Sequence, residues 1–190
     1  MKLRVHPGRV AVRNREVRLK SALHVPENRF KLYEIAEVVA VGSLEGLSEE
    51  SYNRGDIVLY QVARPMKDRI TFHVRGVPTS FLHVNDIIGR LSEDIVEYAN
   101  FKIVGKYVLL DKQIRQPRGD LIILPLQFEP QTVEELTHYS VLQKGADVNG
   151  DYDVGQEVFP DRGAGNNITI DNRDLMFVDQ AYICGALTAI

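Results

Sequence analysis

The feature that most constrains this chain is an internal repeat. Five short motifs occur in the same order in both halves, and each lies 96 to 103 residues from its counterpart. The paired motifs are Gly8–Val12 with Gly105–Leu109, Val25–Pro26 with Leu124–Pro125, Val39–Gly42 with Leu142–Gly145, Arg54–Val58 with Val154–Val158, and Asp86–Gly89 with Tyr182–Gly185. The spacing drifts only in segments predicted as loops, where insertions cost little free energy. A chain of 190 residues that repeats one plan predicts two small domains, residues 1–94 and 95–190, with the boundary inside Leu91–Phe101.

Both halves contain short segments rich in Val, Ile and Tyr, bounded by Gly, Pro, Asn or Asp. This pattern is typical of β-strands between turns. The predicted strands are Arg9–Arg13, Tyr33–Val41, Asp56–Gln61, Ile70–Val74, Lys106–Leu110, Leu121–Pro125, His138–Gln143, Glu157–Phe159 and Ile168–Ile170. Helical spacing is weak: Ser92–Asn100, with Ser92 as its N-cap, and Val133–His138 each predict one or two helical turns.

Each half is short for the number of strands it carries. Five or more strands in so few residues most economically close into a barrel, because closure removes exposed sheet edges. The predicted fold is therefore all-β, with two small β-barrels in tandem.

Charge and hydropathy exclude several classes of partner. The formal net charge is -3 at pH 7, whereas a general nucleic-acid or membrane-surface binder needs a basic face. No apolar run approaches the ~20 residues that span a bilayer. The segment Met1–Val12 alternates like a strand and has no apolar signal core. We therefore expect a cytoplasmic protein without nucleic-acid or membrane partners.

The sequence contains no recognisable motif for catalysis, metal binding or a cofactor. Cys184 is the only cysteine and cannot form an internal disulfide, and the five histidines lack the spacing of a zinc site. The segment Asp147–Asp153 alternates like the start of a calcium loop, but Gly150 is not where that motif needs its glycine. No Gly-x-Gly-x-x-Gly follows a strand. We expect a protein that is not an enzyme and has no catalytic residues, metal or cofactor.

Five blocks of the first half follow a known order of features. These are a strand, a loop with an apolar core ending in Pro, a strand closing on Ala-Val-Gly, a Gly-Asp strand start, and a last strand near Asp-Ile-x-Gly. The blocks are Arg9–Arg13, Lys20–Glu27, Glu37–Gly42, Arg54–Leu59 and Phe81–Gly89. In this order and spacing the half resembles the ten-kilodalton co-chaperonins, the GroES-like family, over nearly its whole length.

The second half resembles the same family more weakly. Its best block is Arg118–Pro125, while the closing blocks are reduced to Gln143–Gly145 and Tyr182–Gly185. A tandem form exists in the family, in the double co-chaperonin of chloroplasts, but no transit-peptide composition is present here. Diverged virus-encoded co-chaperonins are the other context, which would place the protein in a host cytoplasm or a virion.

The resemblance implies that mobile loops dock onto the apical domains of a chaperonin ring. In the family, each loop is disordered when free and folds into a hairpin as its apolar tripeptide enters a groove. By position, the docking residues are Leu23, His24, Val25 and Pro26 in the first loop, and Leu121, Ile122, Ile123, Leu124 and Pro125 in the second. The first loop departs from the family pattern at Ala22, Leu23 and His24. The alternative for Leu121–Leu124 is a plain buried strand.

Two functions from different classes remain open. The resemblance implies a co-chaperonin-like protein that self-associates into a ring, caps a chaperonin ring and assists ATP-dependent protein folding without catalysing a reaction itself. The alternative is a structural, virion or assembly protein that uses the barrels without docking to a chaperonin. Segment Leu44–Asn53 corresponds to the family's roof hairpin in the first case, and to a solvated acidic loop in the second.

Overall fold

A computed structural model describes residues 3–15, 33–62, 71–92, 97–114, 137–171 and 173–187. Within these ranges the protein is all-β, as predicted, with thirteen strands in two antiparallel sheets. The same ranges contain three single-turn 3-10 helices, Val84–Asp86, Tyr98–Asn100 and Gln180–Tyr182.

The first sheet has seven strands. They are β1 Arg9–Asn14, β2 Tyr33–Val41, β3 Ile57–Gln61, β4 Phe72–Val74, β5 Val77–His83, β6 Ile87–Leu91 and β7 Phe101–Ile103. Their order in the sheet is β4-β5-β1-β2-β3-β6-β7. Because β7 follows the predicted boundary, the first sheet is completed by a strand from the second half. The division into domains 1–94 and 95–190 stays a prediction.

The second sheet has six strands in the order β11-β12-β8-β9-β10-β13. They are β8 Tyr107–Ile114, β9 Thr137–Lys144, β10 Glu157–Pro160, β11 Asn166–Ile170, β12 Arg173–Asp179 and β13 Ile183–Ala186. Strands β1 to β6 of the first sheet correspond in order to β8 to β13 of the second. With this matching the two sheets have the same strand order, and β7 alone has no counterpart in the second sheet. The sequence repeat is therefore also a repeat of topology.

The irregularities of the sheets repeat as well. Pairing of β3 with β6 and of β10 with β13 each contains one register shift, and so does pairing of β1 with β2 and of β8 with β9. The shifts fall between Leu59 and Tyr60, Phe159 and Pro160, Ala11 and Val12, and Leu109 and Leu110. The last two positions match at an offset of 98 residues, one more than the alignment of Gly8 with Gly105 predicts. Bulges of this kind bend a sheet, so the two halves share their curvature.

The connections require each sheet to curl. Three strands separate β5 from β6 in the sheet order, a distance of about 19 Å if the sheet were flat. The chain joins them through Val84–Asp86, which can span at most about 14 Å. The same constraint applies to β12 and β13, which Gln180–Tyr182 connects. Each sheet is therefore an open, barrel-like layer.

Each curled sheet encloses its own core. The first core consists of Val10, Val12, Ala36, Val38, Tyr52, Val58, Tyr60, Leu82, Val84, Ile87 and Val104. The second consists of Val108, Leu110, Val141, Tyr152, Val158, Met176 and Val178. A third cluster, here called the shared core, joins the outer faces of the two sheets. It consists of Ile57, Leu59, Ile88, Leu91, Phe101, Ile103, Tyr107, Leu109, Ile168, Ile170, Leu175 and Phe177.

Strands between two cores are buried on both faces. In β12, Leu175 and Phe177 belong to the shared core, while Met176 and Val178 belong to the second core. All four side chains are buried. A strand covered on both sides has no polar face, which explains why Leu175–Val178 is an unbroken apolar run.

Of the two predicted helical segments, the first contains one helical turn where the structure describes it, and the second is wrong there. Within Ser92–Asn100, residues 97–100 contain a single 3-10 turn, Tyr98–Asn100. Within Val133–His138, Thr137 begins β9 because its backbone pairs with Ile114 of β8. His138 also belongs to β9, and residues 93–96 and 133–136 lie outside the described ranges.

Candidate functional site at the loop bases and the shared junction

Both predicted docking loops start from the same point of the repeated plan. The first loop connects β1 with β2, whose pairing ends at Asn14 opposite Ala36. The second connects β8 with β9, whose pairing ends at Ile114 opposite Thr137. Because β8 and β9 are the equivalents of β1 and β2, the two loops leave the sheets at matching positions.

The predicted docking residues lie outside the described residues. They are Leu23, His24, Val25 and Pro26 of the first loop and Leu121, Ile122, Ile123, Leu124 and Pro125 of the second. Their docking role stays a prediction, and so does the alternative that Leu121–Leu124 is a buried strand.

The buried carboxylate of Glu50, in the first half of the chain, contacts backbone groups of the second half. Glu50 is 8% exposed, and its Oε1 accepts hydrogen bonds from the backbone N–H groups of Gly105 and Ala146, each at 3.3 Å. Its Oε2 lies 3.9 Å from Nη2 of Arg90. Two backbone donors and one cation therefore compensate the desolvation of this charge. Neighbouring Glu49 is exposed, so only part of the acidic loop is solvated.

Asp147 holds the same loop from the second half. Its Oδ2 accepts a hydrogen bond from Oγ of Ser48, and its Oδ1 accepts one from the backbone N–H of Glu49, both at 2.6 Å. Its backbone oxygen accepts a bond from Nε2 of Gln180 at 3.1 Å. Ser48, Glu50, Arg90 and Asp147 are referred to below as the polar latch.

Arg90 anchors the first-half side of the polar latch. Its guanidinium donates to the backbone oxygen of Ser51 and lies 3.7 Å from Oδ2 of Asp56. It also lies over the ring of Tyr52, 5.1 Å from the ring centre. Burial raises the pKa of Tyr52, with the charge of Glu50 as the next cause, so the ring stays neutral beside the ion pair.

The apolar part of the junction is formed by β7. Phe101 and Ile103 pair with Leu91 and Gly89 of β6, and an added Cβ on Gly89 would overlap the Phe101 ring. On the other edge of β7, the Gln143 side chain accepts a bond from the N–H of Ile103 at 2.9 Å. It also donates one to the oxygen of Phe101 at 3.2 Å. The short strand is therefore satisfied on both edges.

Tyr107 combines apolar and polar contacts at the junction. Its ring meets Phe177 edge-on at 6.1 Å between centres, and its hydroxyl donates to the backbone oxygen of Asn85 at 3.0 Å. Burial raises its pKa to about 12, with smaller contributions from Asp179 and Asp86. The neutral phenol thus links the second half to the turn before β6.

The raised pKa of Tyr107 predicts how the fold responds to alkali. The unfolded chain releases this proton near pH 10, whereas the folded chain retains it to about pH 12. The contribution of neutral Tyr107 to the free energy of unfolding is therefore complete below pH 10 and is lost as the pH rises towards 12. We expect cooperative alkaline unfolding in this window, measured by circular dichroism together with tyrosinate absorbance. Tyr107→Phe should move the midpoint to higher pH, although it costs about 1 kcal/mol at neutral pH through the lost hydrogen bond.

Tyr182 provides the matched control for this titration, because its side chain is 53% exposed. Tyr182→Phe should leave the alkaline midpoint unchanged. If both substitutions moved the midpoint equally, a specific contribution of Tyr107 would be excluded.

The described side chains do not form a recognisable centre for chemistry. Among them, no group of three or more His, Cys, Asp or Glu residues could hold a metal ion. His83 caps the 3-10 turn before β6, its Nδ1 accepting a bond from the N–H of Asn85 at 3.1 Å, while His6 and His73 are exposed. No helix within the described ranges is long and apolar enough to cross a bilayer. The described arrangement holds two sheets together.

The sequence motifs did not identify the polar latch. Ser48 and Asp147 are 99 residues apart, and neither of the segments singled out around them, Leu44–Asn53 and Asp147–Asp153, predicted that they would meet. A signal was nevertheless present: the segment around Glu50 is longer than its second-half counterpart, Ala146–Asp153. An insertion carrying acid and hydroxyl groups in one copy of a repeat marks a contact that the other copy lacks.

No protein-family model and no curated protein matches this chain. The resemblance to co-chaperonins therefore rests on the residues quoted for it.

Proposed function

We propose that the chain is a non-catalytic, co-chaperonin-like protein that docks onto a chaperonin ring through two loops and caps it. The observation that carries the proposal is the placement of both loops. In each half, a long connection joins the equivalent pair of strands and contains a short segment that ends in an aliphatic residue and Pro, Leu23–Pro26 in the first half and Leu121–Pro125 in the second. Two such loops on one repeated framework form a bivalent binding module.

Loops of this kind are suited to binding a partner. A short apolar segment on a solvated connection can bury itself against a partner groove, at the cost of ordering the loop. Each docking event is then weak. Two loops held by one framework raise the effective concentration of the second event, so the pair binds more tightly than either loop while each contact remains reversible.

The junction between the sheets suits this role. The shared core and the polar latch fix one sheet against the other, which fixes the separation of the two loop bases. A rigid spacing increases the gain from bivalency when it matches the spacing of the partner sites. The same rigidity also suits the second candidate, a structural or assembly protein, because a building block needs a fixed shape.

Capture of purified bacterial-type chaperonin rings by the full chain tests the proposal. We expect capture with ATP or ADP and little without nucleotide, because the ATP cycle of the ring controls access to its docking grooves. Replacing the residue before Pro in each segment, Val25→Asp with Leu124→Asp, should reduce capture at least about tenfold, since burying an unpaired carboxylate costs several kcal/mol.

Val154→Asp is the matched control, because Val154 is highly exposed and lies outside both loops. It adds one carboxylate at an exposed position and should leave capture unchanged. Absence of nucleotide-dependent capture would favour the structural alternative. Capture that survives the double loop substitution would exclude these loops as the docking elements.

A further inference from the structure

The two halves of the chain carry opposite charge. Residues 1–94 contain 15 Lys and Arg against 12 Asp and Glu, whereas residues 95–190 contain 8 against 14. With histidine neutral, the formal charges of the halves are therefore +3 and -6. The net charge of the whole chain, which predicts no nucleic-acid partner, conceals this division. A charge asymmetry of this kind is one signature of a protein in which one part binds a polyanion.

Two basic residues of the first half lie on the outer face of β1. Val10 and Val12 belong to the first core. The residues that alternate with them, Arg9, Ala11 and Arg13, therefore point to the other side of the sheet. Pairing of β1 with β5 is regular, so nothing interrupts this alternation. The outer face thus carries two guanidinium groups on one strand, about 13 Å apart along it.

Strands β4 and β5 add aromatic side chains to the same face. Phe81 and His83 alternate with Leu82, which belongs to the first core, and they pair with residues of β1. The ring of Phe72 meets the Phe81 ring edge-on at 5.5 Å between centres, and Phe72 is 51% exposed. Aromatic rings and guanidinium groups therefore share one surface. It is referred to below as the basic face and consists of Arg9, Ala11, Arg13, Phe72, Phe81 and His83.

The equivalent face of the second sheet is neither basic nor open. Its members occupy the same register positions, because β8 pairs with β12 as β1 pairs with β5. Its apolar side chains are buried in the shared core. The counterparts of Arg9, Ala11, Arg13, Phe72, Phe81 and His83 are, in that order, Tyr107, Leu109, Asp111, Ile168, Phe177 and Asp179.

The differences between the two faces favour an anionic partner for the first. Two arginines and a histidine stand where the second sheet has a tyrosine and two aspartates. Ala11 replaces Leu109, which fills the shared core, and Phe72 adds a ring where the shared core has Ile168. A face that packed against protein as the second sheet does would need large aliphatic side chains at these positions. The basic face has gained positive charge and aromatic surface instead.

Both arginines have donors available to a ligand. Within the described part of the chain, the Arg9 side chain makes no hydrogen bond or ion pair. Nε of Arg13 is buried and has no hydrogen-bond partner among the described residues. Glu37 pairs with Arg13 in the sheet, but its carboxylate binds Arg15 at 3.1 Å. Because a buried donor without an acceptor costs free energy, an anionic ligand at this face would be stabilised.

His83 adds a further donor to the basic face. Its Nδ1 accepts a hydrogen bond from the N–H of Asn85 at 3.1 Å, so in the neutral ring the proton is on Nε2. In the second sheet, Asp179 forms the equivalent cap by accepting a bond from the N–H of Ala181, and it also binds Lys106. The first sheet thus has an imidazole where the second has a carboxylate, which would repel an anion.

We propose that the basic face binds single-stranded nucleic acid. Arg9 and Arg13 contact the phosphates of the strand, and its bases stack on Phe72 and Phe81 beside the small side chain of Ala11. A basic surface with aromatic rings on a sheet suits unpaired bases, which every ring can stack against. An acidic peptide would engage the guanidinium groups but leave the rings unused. A duplex keeps its bases stacked within itself, so it offers the face only its phosphates.

Fluorescence anisotropy of a labelled oligo(dT) strand with the full chain tests the proposal. The wild type should bind, and binding should weaken as salt rises, because each phosphate contact releases counterions. Arg9→Gln and Arg13→Gln should each weaken binding and reduce the slope of log K against log salt by roughly 0.7. Phe72→Ala should weaken binding at least about fivefold and leave that slope unchanged, since a stacked ring carries no charge.

Arg54→Gln and Phe159→Ala are the matched controls, because both side chains are exposed and lie outside the basic face. Neither should change the affinity for oligo(dT), and circular dichroism of all five variants should match the wild type. If Arg54→Gln weakened binding as much as Arg9→Gln, the attraction would be a general one to positive charge. If Phe159→Ala matched Phe72→Ala, stacking on the basic face would be excluded.

Competition with other polyanions separates nucleic acid from an acidic protein. Polyglutamate and duplex DNA of the same length should displace oligo(dT) at least about fivefold less well than the unlabelled strand, because neither offers bases to the rings. Polyglutamate that competes equally would assign the face to an acidic protein and overturn the proposal, as would absence of oligo(dT) binding at low salt. Neither docking loop belongs to the basic face, so a failure of chaperonin capture leaves this inference standing.

Discussion

Replacing Phe177 with alanine is expected to lower the free energy of unfolding by about 3–5 kcal/mol, the cost of a large cavity in a packed core. Phe177 is 1% exposed and packs against Tyr107 in the shared core. The melting temperature should fall by about 10 °C in a chain of this length. Because both sheets contribute to the shared core, calorimetry should show a single transition before and after the substitution.

Phe159→Ala is the control, since the same side chain is removed from an exposed position. At concentrations where the chain is monomeric, it should change the stability by less than about 1 kcal/mol. Two separate transitions, of which Phe177→Ala shifts only one, would contradict a cooperative role for the shared core. That outcome would instead support residues 1–94 and 95–190 as independent folding units.

Glu50→Ala is expected to cost about 2–4 kcal/mol, because two buried backbone donors and a cation lose their acceptor. The N–H groups of Gly105 and Ala146 would be left without that partner, while Arg90 retains Asp56. Urea unfolding followed by circular dichroism measures this loss. Glu50→Gln, which keeps an acceptor oxygen without the charge, should fall between the wild type and the alanine variant.

Glu49→Ala is the adjacent control. Its side chain is exposed, and its contact with Asp147 is made through the backbone N–H, which the substitution keeps. It should change the stability by no more than about 0.5 kcal/mol. Equal effects at positions 49 and 50 would show that the polar latch does not stabilise the junction.

The class of the fold and its repeat could be predicted because both depend on local patterns. Tyr33–Val41 was predicted to the residue, and Arg9–Arg13 to within one residue at its end. Landmarks around Gly42, Gly55 and Gly89 mark turns and close approaches that both halves need. Gly55, for example, has a φ of 97°, which favours glycine.

Strands that depend on distant partners were missed. Arg173–Asp179 is buried on both faces and so shows no alternation, and Val77–His83 contains a proline and small polar residues. Phe101–Ile103 has only three residues and is a strand because β6 lies beside it. Such segments take their conformation from tertiary pairing, which a local pattern does not record.

The same distinction between local patterns and distant partners applies to the candidate site. Loop positions follow from the order of strands: the strand before the first loop was predicted to end at Arg13 and ends at Asn14, and the strand before the second was predicted to end at Leu110 and ends at Ile114. The docking residues themselves lie outside the described ranges. The polar latch depends on residues about 100 positions apart that converge only after both sheets have formed. Acidic and hydroxyl side chains of this kind are common in solvated loops, and nothing local distinguishes a buried one.

The position of β7 in the chain has a consequence for synthesis. The first sheet can be completed only after residue 103 has left the ribosome, because its seventh strand, β7, follows the predicted domain boundary at residue 94. Until then, the edge of β6 and the apolar side chains of Leu59 and Leu91 remain uncovered, as in any fragment that ends at residue 94. During synthesis the nascent chain therefore exposes an unpaired strand edge that is prone to aggregation. A truncation or fusion site that keeps the first sheet complete must lie after β7.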